Sequence, residues 1–109
     1  MSYDAGLLER ALDALDQLAA GPVRHRPVFG MRGLLFGDRM FAAIGRDTMI
    51  VKLRAAELPA ALAQPGVTRF MPGGERLGNW VEVSDDVVAE DPELRDWLAA
   101  GLRSLRTPD

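Results

Sequence analysis

The stretch Pro27–Leu53, PVFGMRGLLFGDRMFAAIGRDTMIVKL, decides the fold of this chain. Two turn signals, Gly37-Asp38 and Gly45–Thr48, separate three apolar runs within it. The runs are Leu34–Phe36, Met40–Ile44 and Met49–Val51. They are almost continuous, whereas a strand with one face in water alternates apolar and polar residues. The stretch therefore predicts three antiparallel strands, at about 33–36, 39–44 and 49–53, with both sheet faces buried.

Helical patterns lie on both sides of these strands. Residues 4–19 are predicted to form a helix, because their leucines and alanines fall on one stripe. A last helix is predicted to begin at Asp91-Pro92-Glu93, with Asp91 as its N-cap. Between the three strands and the last helix we expect a short helix at about 56–64 and two strands, Val67–Met71 and Asn79–Val83. The segment Val23–Val28, which follows the first helix, is expected to be extended. The order predicts a two-layer α+β fold: helix, three strands, helix, two strands, helix, with an antiparallel-rich sheet and all helices on one face.

Length and composition favour one small soluble domain. The chain has 109 residues and no cysteine, so disulfides and thiolate chemistry are excluded. We expect a single domain over residues 1–109, with its core at about 4–106 and a tail at 107–109. The sequence contains no apolar run long enough for a membrane span and no secretory signal pattern, so a cytoplasmic location is expected.

Charge is distributed unevenly along the sequence. Residues 21–54 contain seven basic and two acidic side chains, while both flanking segments are acidic. One interpretation is pairing between acidic helices and a basic sheet. The other is a polyanion surface, for which the candidate contacts are Arg24, Arg26, Arg39 and Arg46. Because the sequence pI is about 5.1 and no helix is strongly basic, nucleic-acid binding by this chain alone is not favoured.

Catalytic and cofactor patterns are weak throughout the sequence. His25 is the only histidine, so no pair of histidines can bind a metal ion, and any catalytic triad would have to use His25. The acidic residues near position 90 suit helix caps better than metal ligands. Gly30, Gly33 and Gly37 are interpreted as turn glycines, because their spacing matches no phosphate-binding loop. We therefore expect no enzymatic activity and no cofactor.

Three side chains are candidate contacts for a partner or ligand: Arg32, Lys52 and Trp80. Lys52 interrupts an apolar strand on the same face as Ile50, and Trp80 shares a face with Glu82 that is expected to be the less covered side. A strand set that is apolar on both faces needs a second cover, which the helices on one face cannot supply. The sequence thus predicts a homodimer through the sheet face, with an unidentified protein partner as the alternative.

Several segments together resemble the N-terminal domain of the TfoX/Sxy family. They are Phe29-Gly30-Met31-Arg32-Gly33 before an apolar strand, Leu62–Gly66, Gly78–Val83, and Asp91–Leu94 with Trp97 and Leu98. The resemblance covers about Leu7 to Leu105 and implies a two-layer fold. Better-known members regulate natural competence with DNA-bound partners and carry a second domain, whereas this chain ends where the first domain ends.

The resemblance implies a stand-alone, non-catalytic module that regulates by protein interaction, in a process that the residues do not name. The alternative is a transcription or competence regulator that contacts nucleic acid through the basic region 24–54. Small-ligand binding or enzymatic activity has the least support.

Overall fold

A computed structural model describes residues 3–106 of the chain, so the predicted tail at 107–109 lies outside the described residues. The fold is α+β, as predicted, with three α-helices and a six-stranded antiparallel sheet. The helices and strands are α1 (Ala5–Gln17), β1 (Val23–Val28), β2 (Met31–Phe36), β3 (Arg39–Ile44), β4 (Thr48–Lys52), α2 (Leu58–Leu62), β5 (Val67–Arg69), β6 (Trp80–Ser84) and α3 (Asp91–Arg106). Single 3₁₀ turns, Ala55–Glu57 and Pro72–Gly74, precede α2 and β6.

The strands lie in the order β1-β2-β3-β4-β6-β5, and every neighbouring pair is antiparallel. The first group therefore contains four strands, where three were predicted. Val23–Val28 was expected only to be extended, but it pairs with the whole of β2. Its charged sequence, VRHRPV, conceals the strand because an edge strand with exposed side chains needs no apolar alternation.

The two long helices begin at polar signals and are fixed to their neighbours. The Asp4 carboxylate accepts a hydrogen bond from the Leu7 amide at 3.1 Å, which caps α1. The Asp4 amide donates to the Gly45 carbonyl at 2.9 Å, so the cap also joins α1 to the β3–β4 turn. In α3 the Leu94 amide donates to the Glu90 carbonyl. Asp91 is consequently the first helical residue, and the expected N-cap position is off by one.

All three helices pack on the same side of the sheet, as predicted. Strand pairing places Ala42 beside Val51 and Ile44 beside Met49, and these side chains form one buried core with apolar residues of α1, α2 and α3. Helix α3 lies directly against β3 and β4. The backbones of α3 and β3 approach each other closely at Gly101, where an added Cβ would come within 2.9 Å of the Phe41 carbonyl oxygen.

The opposite side of the sheet, hereafter the far face, carries no helix but is buried at its centre. Leu35, Ala43 and Ile50 alternate with the helix-side residues and are at most 1% exposed. The prediction of strands buried on both faces is therefore confirmed. The expectation that a lone chain would expose a large apolar patch there is wrong, because the chain's own side chains, among them part-exposed Met40, cover this centre.

Gly33 shows one way in which this cover is made. It lies inside β2, and an added Cβ would come within 2.8 Å of Met40 Sδ and 2.9 Å of Val28 Cγ2. Its role is to leave room for these two side chains, so its interpretation as a turn glycine is corrected. Gly30 and Gly37 do occupy tight hairpin turns, with φ of 77° and 64°.

Candidate interaction surfaces

The structure brings two of the three candidate contact residues together on the far face. Lys52 on β4 lies directly opposite Trp80 on β6, and both side chains are part-exposed. Within residues 3–106, no carboxylate oxygen lies within 4.0 Å of the Lys52 ammonium. The apolar stem of Lys52 therefore lies on the sheet while its charge is available to water or to a partner.

Apolar side chains extend the surface beside Trp80. The Phe70 amide donates to the Trp80 carbonyl at 3.1 Å, which continues the β5–β6 ladder by one residue and places Phe70 on the same face as Trp80. The loop that follows exposes Met71 and Leu77 by 50% and 42%. This corner of the far face therefore combines a free cation, Lys52, with the part-exposed aromatic side chains of Trp80 and Phe70.

Arg32, the third candidate, lies elsewhere. It pairs with Ile44 on the helix side, and its guanidinium stacks over the Tyr3 ring at 5.7 Å from the centroid. Arg32 Nε also donates to His25 Nδ1 at 2.9 Å. The two partners account for its orientation as part of the local packing.

Of the four arginines proposed for polyanion binding, Arg24 and Arg26 share one face of β1, and the other two lie on other elements. Arg24 pairs with Asp38 at 3.1 Å, and Arg39 donates to the Leu105 carbonyl at the end of α3. Arg26 lies on the exposed edge strand β1, and Arg46 lies in the β3–β4 turn, about 20 Å along the strand from Arg39. Two of the four, Arg24 and Arg39, are thus engaged by groups of the chain itself.

The tip of the β1–β2 hairpin carries a residue that sequence reasoning did not single out. Phe29 is 80% exposed and has φ of 53°, and Gly30 beside it has φ of 77°. Two positive φ values in a two-residue loop are typical of a type I′ turn, which disfavours a bulky aromatic residue. In the sequence, the glycine of the dipeptide Phe29-Gly30 was the signal that could have indicated this turn.

A cleft between α2 and α3 was also missed. Its volume is about 430 Å³, and small side chains of both helices, with Leu53 and Trp97, line its floor. At its rim Arg103 binds Glu57 through two hydrogen bonds of 2.7 and 3.1 Å. The two residues of this ion pair are 46 positions apart in the sequence, so no local sequence pattern predicts it.

Electrostatics at the rim follow from the same contact. Hydrogen bonding to Arg103 holds the pKa of the Glu57 carboxyl below its ordinary value, against an opposing effect of partial burial. Arg54 Nη1, 4.0 Å from Glu57, adds a smaller effect in the same direction. Glu57 is thus ionised and already paired at neutral pH.

Residues 3–106 contain neither a cluster suited to a metal ion nor a helix suited to a membrane. No group of three or more histidine, aspartate or glutamate side chains within residues 3–106 is arranged to hold a metal ion. None of the helices described in that range has the length and apolar character needed to cross a membrane.

The fold and its surfaces define a class of protein: a small α+β domain with one sheet, a helix layer on one side and accessible contact surfaces on both. The chain belongs to the TfoX N-terminal domain family, whose profile matches residues 13–105. The family resemblance read from the sequence is confirmed by this match. No curated protein and no solved structure matches the chain.

Proposed function

We propose that this TfoX N-terminal domain is a non-catalytic regulatory module that acts by binding protein, and that it self-associates through the far face. The observation that carries the proposal is the Lys52–Trp80 pair, accessible on the helix-free side beside Phe70. Tryptophan is among the residues that most often anchor protein interfaces. A cytoplasmic location is part of the proposal, since a chain without cysteine suits a reducing compartment.

The sheet edges favour contact through the face. Strand β1 at one edge carries Arg24, Arg26 and Pro27, and charged residues and proline both oppose pairing with a further strand. Strand β5 at the other edge has only three residues. Since both edges are poor templates for strand addition, a second copy is better accommodated face to face, with Trp80 and Phe70 as the apolar contact.

Sedimentation equilibrium from about 1 to 100 µM protein tests the proposal, because mass action converts a dimer to monomers over such a range. We expect wild type to dimerise and Trp80→Thr, which keeps a residue suited to strands, to raise the dissociation constant at least about tenfold. Lys52→Glu, which alters charge without removing apolar area, should weaken the dimer less.

The matched control is Leu18→Gln, which removes an exposed apolar side chain on the helix layer. It should leave the dissociation constant unchanged. A monomer at 100 µM would refute self-association, and equal weakening by Leu18→Gln would place the contact away from the far face. Circular dichroism of each variant excludes loss of folding as the cause.

A further inference from the structure

We propose that the cleft between α2 and α3 is a second, separate docking site, which binds a basic amphipathic helix of a partner protein. It lies on the helix side of the molecule and shares no lining residue with the Lys52–Trp80 corner. The proposal therefore does not depend on self-association through the far face.

The floor of the cleft is apolar and made of small side chains. Ala56 and Ala60 line one wall, Ala100 lines the other, and Leu53 and Trp97 lie between them. Alanines on both facing walls leave a volume of about 430 Å³ that longer side chains would fill. The size lies within the range of sites that bind ligands or apolar anchor residues.

The walls are held apart and in register by an ion pair. Arg103 on α3 binds both carboxylate oxygens of Glu57, which ends the 3₁₀ turn before α2. A bidentate pair of this kind fixes orientation as well as distance. The pair therefore helps to hold the two walls in place before a ligand enters, which reduces the cost of ordering them on binding.

The charge at the rim selects the partner. Glu93 and Asp96 are exposed on α3 at the cleft, whereas the lining cation Arg103 is already engaged by Glu57. Arg54 also lies 4.0 Å from Glu57. Two guanidinium groups therefore face the three carboxylates of Glu57, Glu93 and Asp96, and the net charge above the apolar floor is negative. A helix that presents alanine or leucine on one face and lysine or arginine on its flanks meets both features.

Titration with a synthetic peptide tests the site. The probe is a helix of about 16 residues with leucine and alanine on one face and lysine on the other, long enough to be partly helical alone. Trp97, which lies in the cleft, reports binding by fluorescence in a Trp80→Phe background. We expect saturable binding that weakens as salt is raised from about 50 to 300 mM, as opposite charges require.

Two variants separate the apolar and charged contributions. Ala60→Leu fills the cleft at an exposed position and should weaken peptide binding about tenfold or more, because it removes the space for the anchor residue. Glu93→Lys combined with Asp96→Lys should weaken it similarly and remove most of the salt dependence. Glu9→Lys combined with Asp13→Lys, two exposed reversals on α1 that change the net charge equally, is the matched control and should have little effect.

Three outcomes would overturn the proposal. They are no saturable change in Trp97 fluorescence, unchanged binding by Ala60→Leu, and equal weakening by the control Glu9→Lys with Asp13→Lys. The last two would mean that the peptide is attracted by net acidity alone. A peptide with glutamate in place of lysine should not bind, and its binding would equally refute selection by charge. Urea unfolding of each variant confirms that the fold persists.

Discussion

Replacement of Gly101 by alanine tests how closely α3 lies on the sheet. Gly101 is a buried residue of α3, and an added Cβ would lie 2.9 Å from the carbonyl oxygen of Phe41 and 3.0 Å from its ring atom Cδ2. Phe41 itself is fully buried, and one of the two atoms belongs to the backbone. Neither neighbour is the free end of a flexible side chain, so α3 must move away from β3.

Two effects of opposite sign determine the result. Alanine is favoured over glycine inside a helix by about 1 kcal/mol. Insertion of a methyl group into a filled core costs about 1–3 kcal/mol, and the two short contacts here place the cost at the upper end. We expect the free energy of unfolding to fall by about 1–2 kcal/mol, which lowers the melting temperature by roughly 5–12 °C in a domain of this size.

Urea unfolding followed by circular dichroism at 222 nm provides the measurement, with Gly6→Ala as the matched control. Gly6 is an exposed residue of α1 whose added Cβ would meet only Asp4 Oδ1, at an ordinary 3.4 Å. This control should gain up to about 1 kcal/mol of stability. If Gly101→Ala stabilised the protein as Gly6→Ala does, the close contact between α3 and β3 would be refuted.

Two further substitutions test the rim ion pair and the hairpin tip. Glu57→Gln should lower the free energy of unfolding by less than about 1 kcal/mol at pH 7, because Arg103 is half exposed. The pKa of Glu57 is lowered in the folded state. The stabilisation by the ion pair is therefore present above the ordinary Glu57 pKa of 4.5 and disappears as pH falls through the lowered pKa. Urea midpoints of variant and wild type should therefore converge in acid, and a difference that persisted there would contradict the ion-pair explanation. Phe29→Asn should raise the melting temperature by a few degrees, since asparagine tolerates the positive φ that strains phenylalanine by about 1 kcal/mol; a lower melting temperature would show that Phe29 has stabilising contacts.

The central strands could be predicted from the sequence because their signals are local. The middle strand was placed at 39–44 and is Arg39–Ile44, and the Gly37-Asp38 turn lies where it was expected. Continuous apolar runs correctly predicted burial on both faces. Strand β1 was described only as extended, because pairing at a sheet edge stabilises it without the apolar alternation that identifies a strand.

The surfaces were harder to predict because they depend on distant residues. Lys52 and Trp80 were each noticed, but their position opposite each other requires β4 and β6 to be neighbours in the sheet. On the far face, Met40 and Val28 fill the space where Gly33 has no side chain. A sequence pattern shows that a face is apolar, whereas the side chains that cover it are fixed only by the strand register.

The end of β4 connects the two proposed binding surfaces. Lys52 lies on the far face, and the next residue, Leu53, is buried in the floor of the cleft on the helix side. Consecutive residues of an extended chain point to opposite sides, so one backbone segment supports both surfaces. Two partners that bind on opposite layers do not compete for space. If a cleft-bound helix shifts this segment, it changes the dimer affinity by some factor, and dimerisation then changes the affinity for that helix by the same factor.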